Sequence, residues 1–474
     1  MIKKFPNDFT WGTATSCYQI EGGYQADGKG LSIWDVFSKI KGKTANGDTG
    51  EVACDHYHLY KEDIALMAKL GVQAYRFSIS WSRIIPNGYG EVNQKGIAFY
   101  SDLIDTLLEY GITPWITLYH WDLPVALQLE QDGWLNPKIA DHFAAYARVC
   151  FEAFGDRVKY WLTINEPWVV AILGHGQGVF APGRTSKDEP YLAAHHLLLA
   201  HAKAVDVYRK EFAPQNGKIA ITNNCDWREP LTNSVEDKEA AQRALLFFLG
   251  WFADPIYKGD YPAVMRKRLG DRLPTFTAEE KKLLYQSSDF FGLNHYTTMY
   301  AADVPADSDI EDVSVYGNGG IFEDQYVQLS VDESWGKTSM NWAVVPWGCQ
   351  KMLEWIHQRY DAPDIIITEN GCSYSNTINA KGDCMDEKRI DFVNGYLNAC
   401  HAAIQNGVQL KGYFLWSLLD NFEWALGYEK RFGIIHVDFD TQQRVPKASA
   451  YWYAEVMKHN GGIALNSREQ KASL

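Results

Sequence analysis

No Cys-x-x-Cys pair occurs anywhere in the 474 residues, and the eight cysteines (17, 54, 150, 225, 349, 372, 384, 400) are widely scattered. That argues against a thiolate zinc site and against a small disulfide scaffold. Long hydrophobic runs are also missing. The most apolar stretch, Ala244–Ala253, is about half the roughly 20 residues a membrane span needs. The opening Met-Ile-Lys-Lys-Phe-Pro-Asn-Asp-Phe has no apolar signal core. Free thiols and no export signal predict a reducing, cytoplasmic setting. Positive charge is in deficit, 45 Lys and Arg against 59 Asp and Glu, for a net charge of −14. This speaks against nucleic acid and anionic membranes as partners, since both require clustered positive charge.

Gly-x-Gly-x-x-Gly after the first strand and a Walker lysine loop are absent too, which removes the common nucleotide folds. No low-complexity linker divides the chain, so residues 1–474 are expected to form one domain, with Gly462–Leu474 as a polar tail. Aromatic residues, by contrast, are plentiful: 17 Trp, 27 Tyr and 22 Phe. Surplus rings line ligand grooves or fill a core, and counts alone do not separate the two.

Eight short β-branched and aromatic runs alternate with helical patterns. They are Trp11–Cys17, Gln73–Trp81, Ile112–Trp121, Val158–Asn165, Lys218–Asn224, Asp289–Tyr296, Asp364–Asn370 and Leu410–Ser417. Strands apolar on both faces and separated by helices make a parallel sheet. Eight of them predict a closed α/β barrel, (β/α)8, with an open doubly wound sheet as the competing reading. The Asp-, Gly- and Ser-rich stretch Ala301–Ser339 reads as a long inserted loop of the kind that serves as a lid or binding element.

Barrels carry their chemistry at the C-terminal ends of the strands. The residues there are Gln19, Arg76, His120, Trp121, Asn165, Glu166, Asn223, Asn224, Asn294, His295, Tyr296, Glu369, Asn370, Trp416, Asp420, Glu423 and Trp424. Amides and carboxylates hydrogen-bond hydroxyls, and indoles stack on the C–H faces of sugar rings. A sugar therefore fits better than a phosphate or a nucleotide. No lysine stands at a strand end, which argues against Schiff-base chemistry. Glu166 and Glu369 end strands four and seven, roughly across the barrel. Two carboxylates facing over a cleft are what glycoside hydrolysis needs. Arg76 and Tyr296 are placed to stabilise the ionised one. The competing reading for either Glu is half of a structural ion pair. Asp122 and Asp420 read as structural, and His195, His196 and His201 as surface or core histidines rather than metal ligands.

At these residues the chain resembles glycoside hydrolase family 1, a family of β-glucosidases. The likeness runs from Phe9 to about His459. It rests on Phe-Thr-Trp-Gly-Thr-Ala-Thr-Ser-Cys-Tyr-Gln-Ile-Glu-Gly (9–22), Tyr-Arg-Phe-Ser-Ile-Ser-Trp-Ser-Arg (75–83) and His-Trp-Asp-Leu-Pro (120–124). Thr-Ile-Asn-Glu-Pro (163–167), Ile-Thr-Glu-Asn-Gly (367–371) and Trp-Ser-Leu-Leu-Asp-Asn-Phe-Glu-Trp (416–424) complete it. The resemblance implies a cofactor-free, retaining exo-β-glycosidase acting on terminal β-glucosyl residues of cello-oligosaccharides or aryl and alkyl glucosides. Glu166 is then the acid/base and Glu369 the nucleophile. Gln19, His120, Asn165, Glu423 and Trp424 are implied to bind the sugar hydroxyls, with Trp416 as platform and Trp121, Asn294 and Tyr296 beside them. Trp168, Asn223 and Trp342 are implied on the aglycone side.

Relatives that split 6-phosphoglycosides carry a small hydroxyl residue near 424 and a Tyr near 432; here Trp424 and Phe432 stand, although Lys430 is present. A phosphate would face Glu423 at a like-charge cost. Non-catalytic sugar-binding relatives have lost one glutamate, and both are kept here. His175 departs from the family's usual Tyr. Glucose against galactose or fucose, hydrolysis against transglycosylation, and the oligomeric state stay open.

Overall fold

The computed structural model describes residues 3–311, 321–376, 378–379 and 382–461. Eight strands close into one parallel barrel: β1 (Thr10–Ala14), β2 (Ala74–Ser78), β3 (Thr113–Tyr119), β4 (Tyr160–Asn165), β5 (Lys218–Asn224), β6 (Phe291–Asn294), β7 (Ile365–Asn370) and β8 (Leu410–Trp416). Seven of the eight expected runs contain one of them, and β1 begins one residue before the first run. Every barrel ladder is parallel, and β1 closes the ring by pairing Thr10–Ala14 with Gly412–Trp416. The open sheet is thereby excluded. Runs such as Ile-Ile-Ile-Thr in β7 are buried throughout, as a strand covered on both faces must be.

Between the strands lie the covering helices. They include His56–Lys69, Gln94–Glu109, Ile139–Phe154, Glu189–Glu211, Pro346–Arg359 and Glu387–Gln405, with Ala448–Lys458 after β8. The helix Val235–Leu245 begins where the Ser234 hydroxyl accepts from the Asp237 amide and fixes the N-terminus. Inside the ring, Trp115 stacks on Tyr160 at 4.0 Å and meets Phe414 edge-on at 4.9 Å. With Leu162, Ala220 and Ile366 these side chains fill the barrel as a packed core.

Two expectations change here. β1 ends at Ala14 rather than at Cys17, because Cys17–Ile20 turns into a short helix. Ala301–Ser339 is not simply loop. It opens inside the strand Thr298–Asp303 and includes the strand Val327–Ser330, and both join Trp227–Pro230 in a three-stranded accessory sheet. These strands hold few apolar residues each, and their pairing partner lies far away in sequence, so local composition hides them. Residues 312–320 of that stretch, and the tail 462–474, lie outside the described residues.

Candidate active site

The strand ends surround a cavity of about 570 Å³. At its floor Glu166 and Glu369 are joined by one chain of hydrogen bonds. Arg76 Nη1 donates to Glu369 Oε1 at 2.6 Å, and Arg76 Nη2 to Asn165 Oδ1 at 2.7 Å. Asn294 Nδ2 donates to Asn165 Oδ1 at 3.1 Å and to Glu166 Oε1 at 2.7 Å. Thr368 Oγ1 donates to Asn294 Oδ1 at 2.7 Å, which fixes that amide. Strands two, four, six and seven thus each contribute a link. The competing reading of Glu369 as half of an ion pair is met in part, since Arg76 does pair with it.

The two carboxyls sit in unequal settings. Glu369 also accepts the Tyr296 hydroxyl at 2.8 Å. Burial raises both pKa values, and at Glu369 Arg76 and Tyr296 oppose that rise. Glu166 is pushed up first by burial and then by the negative charge of Glu369, with the Asn294 amide and the more distant Arg76 charge pulling the other way. The pair therefore ionises first at Glu369 and second at Glu166. The Tyr296 phenol is held far above its usual pKa by burial and by Glu369, so it stays a donor.

Backbone geometry serves the same end. Glu166, Trp121 and Trp424 adopt left-handed φ of 48°, 76° and 50°. Non-glycine residues hold such conformations where surrounding structure dictates them. Pro167 starts the helix Pro167–Ala171 directly after Glu166, which ends β4 as expected. Gly371 is required by crowding: a Cβ there would stand 1.7 Å from the Trp416 carbonyl oxygen.

Around the pair, Asn165 Oδ1 already accepts two donors, so its Nδ2 donates to His120 Nε2 at 3.1 Å. His120 is held neutral by burial and by Arg76, so its proton sits on Nδ1, which has no protein partner. Its ring is nearly parallel to those of Trp416, at 5.8 Å, and Trp424, at 5.9 Å. Trp121 Nε1 donates to the Asn165 carbonyl oxygen at 2.9 Å. Glu423 lines the cavity with Oε2 unpaired; burial first, and Glu369 second, push its pKa up to about 8. Gln19 is fully buried, donating to Phe422 O and Asn421 Oδ1 and accepting from Ser16.

Further out, Trp168 and Trp342 line the cavity wall. One expectation shifts by a residue: Asn224, not Asn223, lines the cavity. The alternation of β5 turns neighbouring side chains to opposite faces, and two consecutive asparagines leave the register unmarked in the sequence. Sequence reasoning also missed Asp226, Arg228, Phe248, Met299 and Leu329, all of which line the outer cavity. Arg228, Met299 and Leu329 come from the accessory sheet, Asp226 directly precedes it and Phe248 comes from the helical segment Leu246–Gly250, and no strand-end rule points to any of them. Asp420 is structural, as expected, held by Lys447 at 2.7 Å and Arg431 at 2.9 Å. His195, His196 and His201 are buried histidines bonded to Tyr261, Trp134 O, and Thr163 with Ser287. Among the described residues no His/Cys/Asp/Glu group is arranged to hold a metal, and no helix is long and apolar enough to cross a membrane.

An eight-stranded barrel with two carboxyls joined across the floor of a sugar-sized cavity defines a glycosidase-type enzyme. The chain belongs to glycosyl hydrolase family 1, whose family model matches residues 1–462. It is 51% identical to β-glucosidase 42 of Arabidopsis thaliana over 96% of this chain and 94% of that protein. It is 47% identical to the 1,4-β-D-glucan glucohydrolase of Thermotoga neapolitana over 97% and 99%. The solved β-glucosidase of Thermotoga maritima in complex with glucoimidazole is 48% identical, covers 97% of this chain and 100% of its own, and superposes with a TM-score of 0.90.

Proposed function

We propose that the protein is a retaining exo-β-glucosidase and that the whole chain is one catalytic unit. The observation that carries this is the unequal hydrogen bonding of the linked pair: Arg76 and Tyr296 donate to Glu369, and Asn294 donates to Glu166. Glu369, with Arg76 and Tyr296 on it, is the carboxylate that attacks the anomeric carbon. Glu166, kept protonated, gives its proton to the departing oxygen. A glycosyl ester on Glu369 results. Glu166, now a carboxylate, takes a proton from water as the water oxygen bonds to the anomeric carbon and the Glu369 ester breaks. This mechanism requires a carboxyl separation of about 5–5.5 Å. An acceptor sugar taking the place of water gives transglycosylation through the same intermediate.

Substrate is the terminal glucosyl residue of cello-oligosaccharides or of aryl and alkyl glucosides, with galactosides and fucosides as slower alternatives. The names and ligand of the three relatives support glucose: two are β-glucosidases, one of them in complex with glucoimidazole, and the third is a 1,4-β-D-glucan glucohydrolase. The unpaired His120 Nδ1 and Glu423 Oε2 suit sugar hydroxyls as donor and acceptor. Trp416 and Trp424 supply ring faces, and Gln19 positions the Asn421–Glu423 loop. A 6-phosphate is disfavoured because Trp424 and Phe432 stand where relatives that split 6-phosphoglycosides carry hydroxyl side chains. Lys430 points elsewhere, its Nζ donating to Ser339 O at 3.0 Å. Eight unpaired, buried cysteines suit the reducing cytoplasm.

The test is release of p-nitrophenol from its β-glucoside, β-galactoside and 6-phospho-β-glucoside without added metal. Fast turnover of the plain glucoside is expected. Turnover of the phosphorylated substrate alone, or tight binding of glucosides without turnover, overturns the reading.

A further inference from the structure

The outer cavity contains a cation that the protein does not satisfy. Arg228 is only 5% exposed and lines the cavity. Its five N–H donors have poor partners: Nη1 reaches the Trp227 carbonyl oxygen at 3.5 Å and the Asp226 carboxylate at 3.8 Å. Both distances exceed a good charged hydrogen bond. A buried guanidinium left in this state is costly to the fold alone. Phe248 explains how it is held, because the Arg228 guanidinium lies 5.4 Å from that ring, and the ring packs 4.4 Å from Trp168. Trp168 is two residues from Glu166. The strand Trp227–Pro230, paired through Arg228↔Met299 to the next accessory strand, therefore presents donors into the cavity that Glu166 also lines.

Acceptors stand next to these donors. Asp226 and Asn224 both line the cavity, and Asn224 Oδ1 is buried without a partner. Charge decides what this cluster reads. Asp226, Glu311 and Glu333 line the outer cavity against Arg228 and Lys337, so an anionic ligand meets more repulsion than attraction. A hydroxyl suits the cluster, because it accepts from a guanidinium and donates to a carboxylate or amide oxygen at once.

We propose that Arg228, with Asp226 and Asn224, is a specificity site that selects leaving groups carrying a neutral hydroxyl. This rests on the proposed function, which makes the outer cavity the leaving-group side. The hydroxyl comes from a second sugar ring or from a hydroxylated aromatic alcohol.

The experiment compares the wild type with Arg228→Met, which keeps the stem packed on Phe248 but removes the donors. The substrates are cellobiose, 3- and 4-hydroxyphenyl β-glucosides, phenyl β-glucoside and 4-carboxyphenyl β-glucoside. A lost hydrogen bond to a charged group predicts that kcat/KM on a hydroxylated substrate falls about 10- to 100-fold relative to phenyl β-glucoside. The selective loss on cellobiose alone identifies a sugar reader, and on the hydroxyphenyl glucosides alone an aromatic-alcohol reader; either supports the site. Equal losses on all substrates, or no loss on any, overturn it. A selective loss on the carboxyphenyl glucoside overturns it in favour of an anion site. If Arg228→Met does not fold, Asp226→Asn and Arg228→Lys are measured on the same panel, with the same ratio expected to fall. Failure of the wild type to cleave phenyl β-glucoside would sink the proposed function instead, so the two failures are distinct.

Discussion

The floor and the mouth of the cavity are built by different rules. At the floor, Arg76, Asn165, Asn294 and Glu369 come from barrel strands, and each is locked by a partner from another strand. At the mouth, Arg228, Met299 and Leu329 come from the accessory sheet, and the polar groups there are loosely paired. The floor is preorganised for one ring in one pose, which is where catalytic advantage arises. The mouth leaves handles for varied leaving groups. Changes at the floor should therefore cost turnover of every substrate, whereas changes at the mouth should re-rank substrates.

The largest expected effect is at the nucleophile. Glu369→Gln keeps the shape but removes the attacking charge, and turnover of all glucosides should fall by on the order of 10⁵-fold. Steady-state rates on a p-nitrophenyl and a 2,4-dinitrophenyl glucoside check this, and a loss on only one of them would break the floor rule. Next comes Arg76→Met, which strands a buried carboxylate that has lost its cation. A cost of about 3–5 kcal/mol is expected, felt as a lower Tm and as a shift of the acidic limb of the pH–rate profile to higher pH. The sign follows from the direction: without Arg76, Glu369 needs a higher pH to ionise. An unmoved acidic limb would mean that Arg76 does not set the charge of Glu369.

Glu166→Gln tests the other end of the chain. General acid catalysis contributes roughly 10²- to 10⁴-fold, and poor leaving groups depend on it most. Cellobiose turnover should drop by that factor. The rate of the first, glucosyl-transfer step on 2,4-dinitrophenyl β-glucoside should drop far less. The alkaline limb of that step should vanish in the variant, because Glu166 is the group whose deprotonation ends activity at high pH. Equal losses on both substrates would count against the role.

Much of this was legible in the sequence. Runs such as Ile365–Asn370 are too apolar to be anything but buried strands, and eight of them between helices leave little choice of fold. The strand-end rule then brings Glu166, Glu369, Arg76 and Tyr296 together, and the last two do touch Glu369. What stayed hidden depends on long-range pairing. The strand Val327–Ser330 exists because Thr298–Asp303 pairs with it, not because its own residues prefer it. Asn223 and Asn224 are chemically identical, so only the register of β5 says which one faces the cavity. Arg228 was missed for the same reason, since no barrel strand carries it.

The smallest effect expected is on stability, and it sits at the floor's one poorly paired carboxylate. Glu423 Oε2 has no partner, and the group's pKa is raised to about 8. Below the ordinary carboxyl range the side chain is neutral both folded and unfolded, so it contributes no difference. Between that range and about pH 8 the unfolded chain has lost the proton while the folded one keeps it, so stability falls as pH rises. Glu423→Gln removes the titration but keeps an acceptor. Its Tm should exceed that of the wild type by a few degrees at pH 8 and by almost nothing at pH 4.5, an increment of about 1–2 kcal/mol for a group of this kind. The same variant should lose turnover of glucosides, because a ligand hydroxyl no longer finds the carboxyl group. Calorimetric scans at the two pH values check the first half. A Tm difference that is the same at both would show that the unpaired carboxylate carries no cost to the fold, and that the floor is as well satisfied at Glu423 as it is at Glu369.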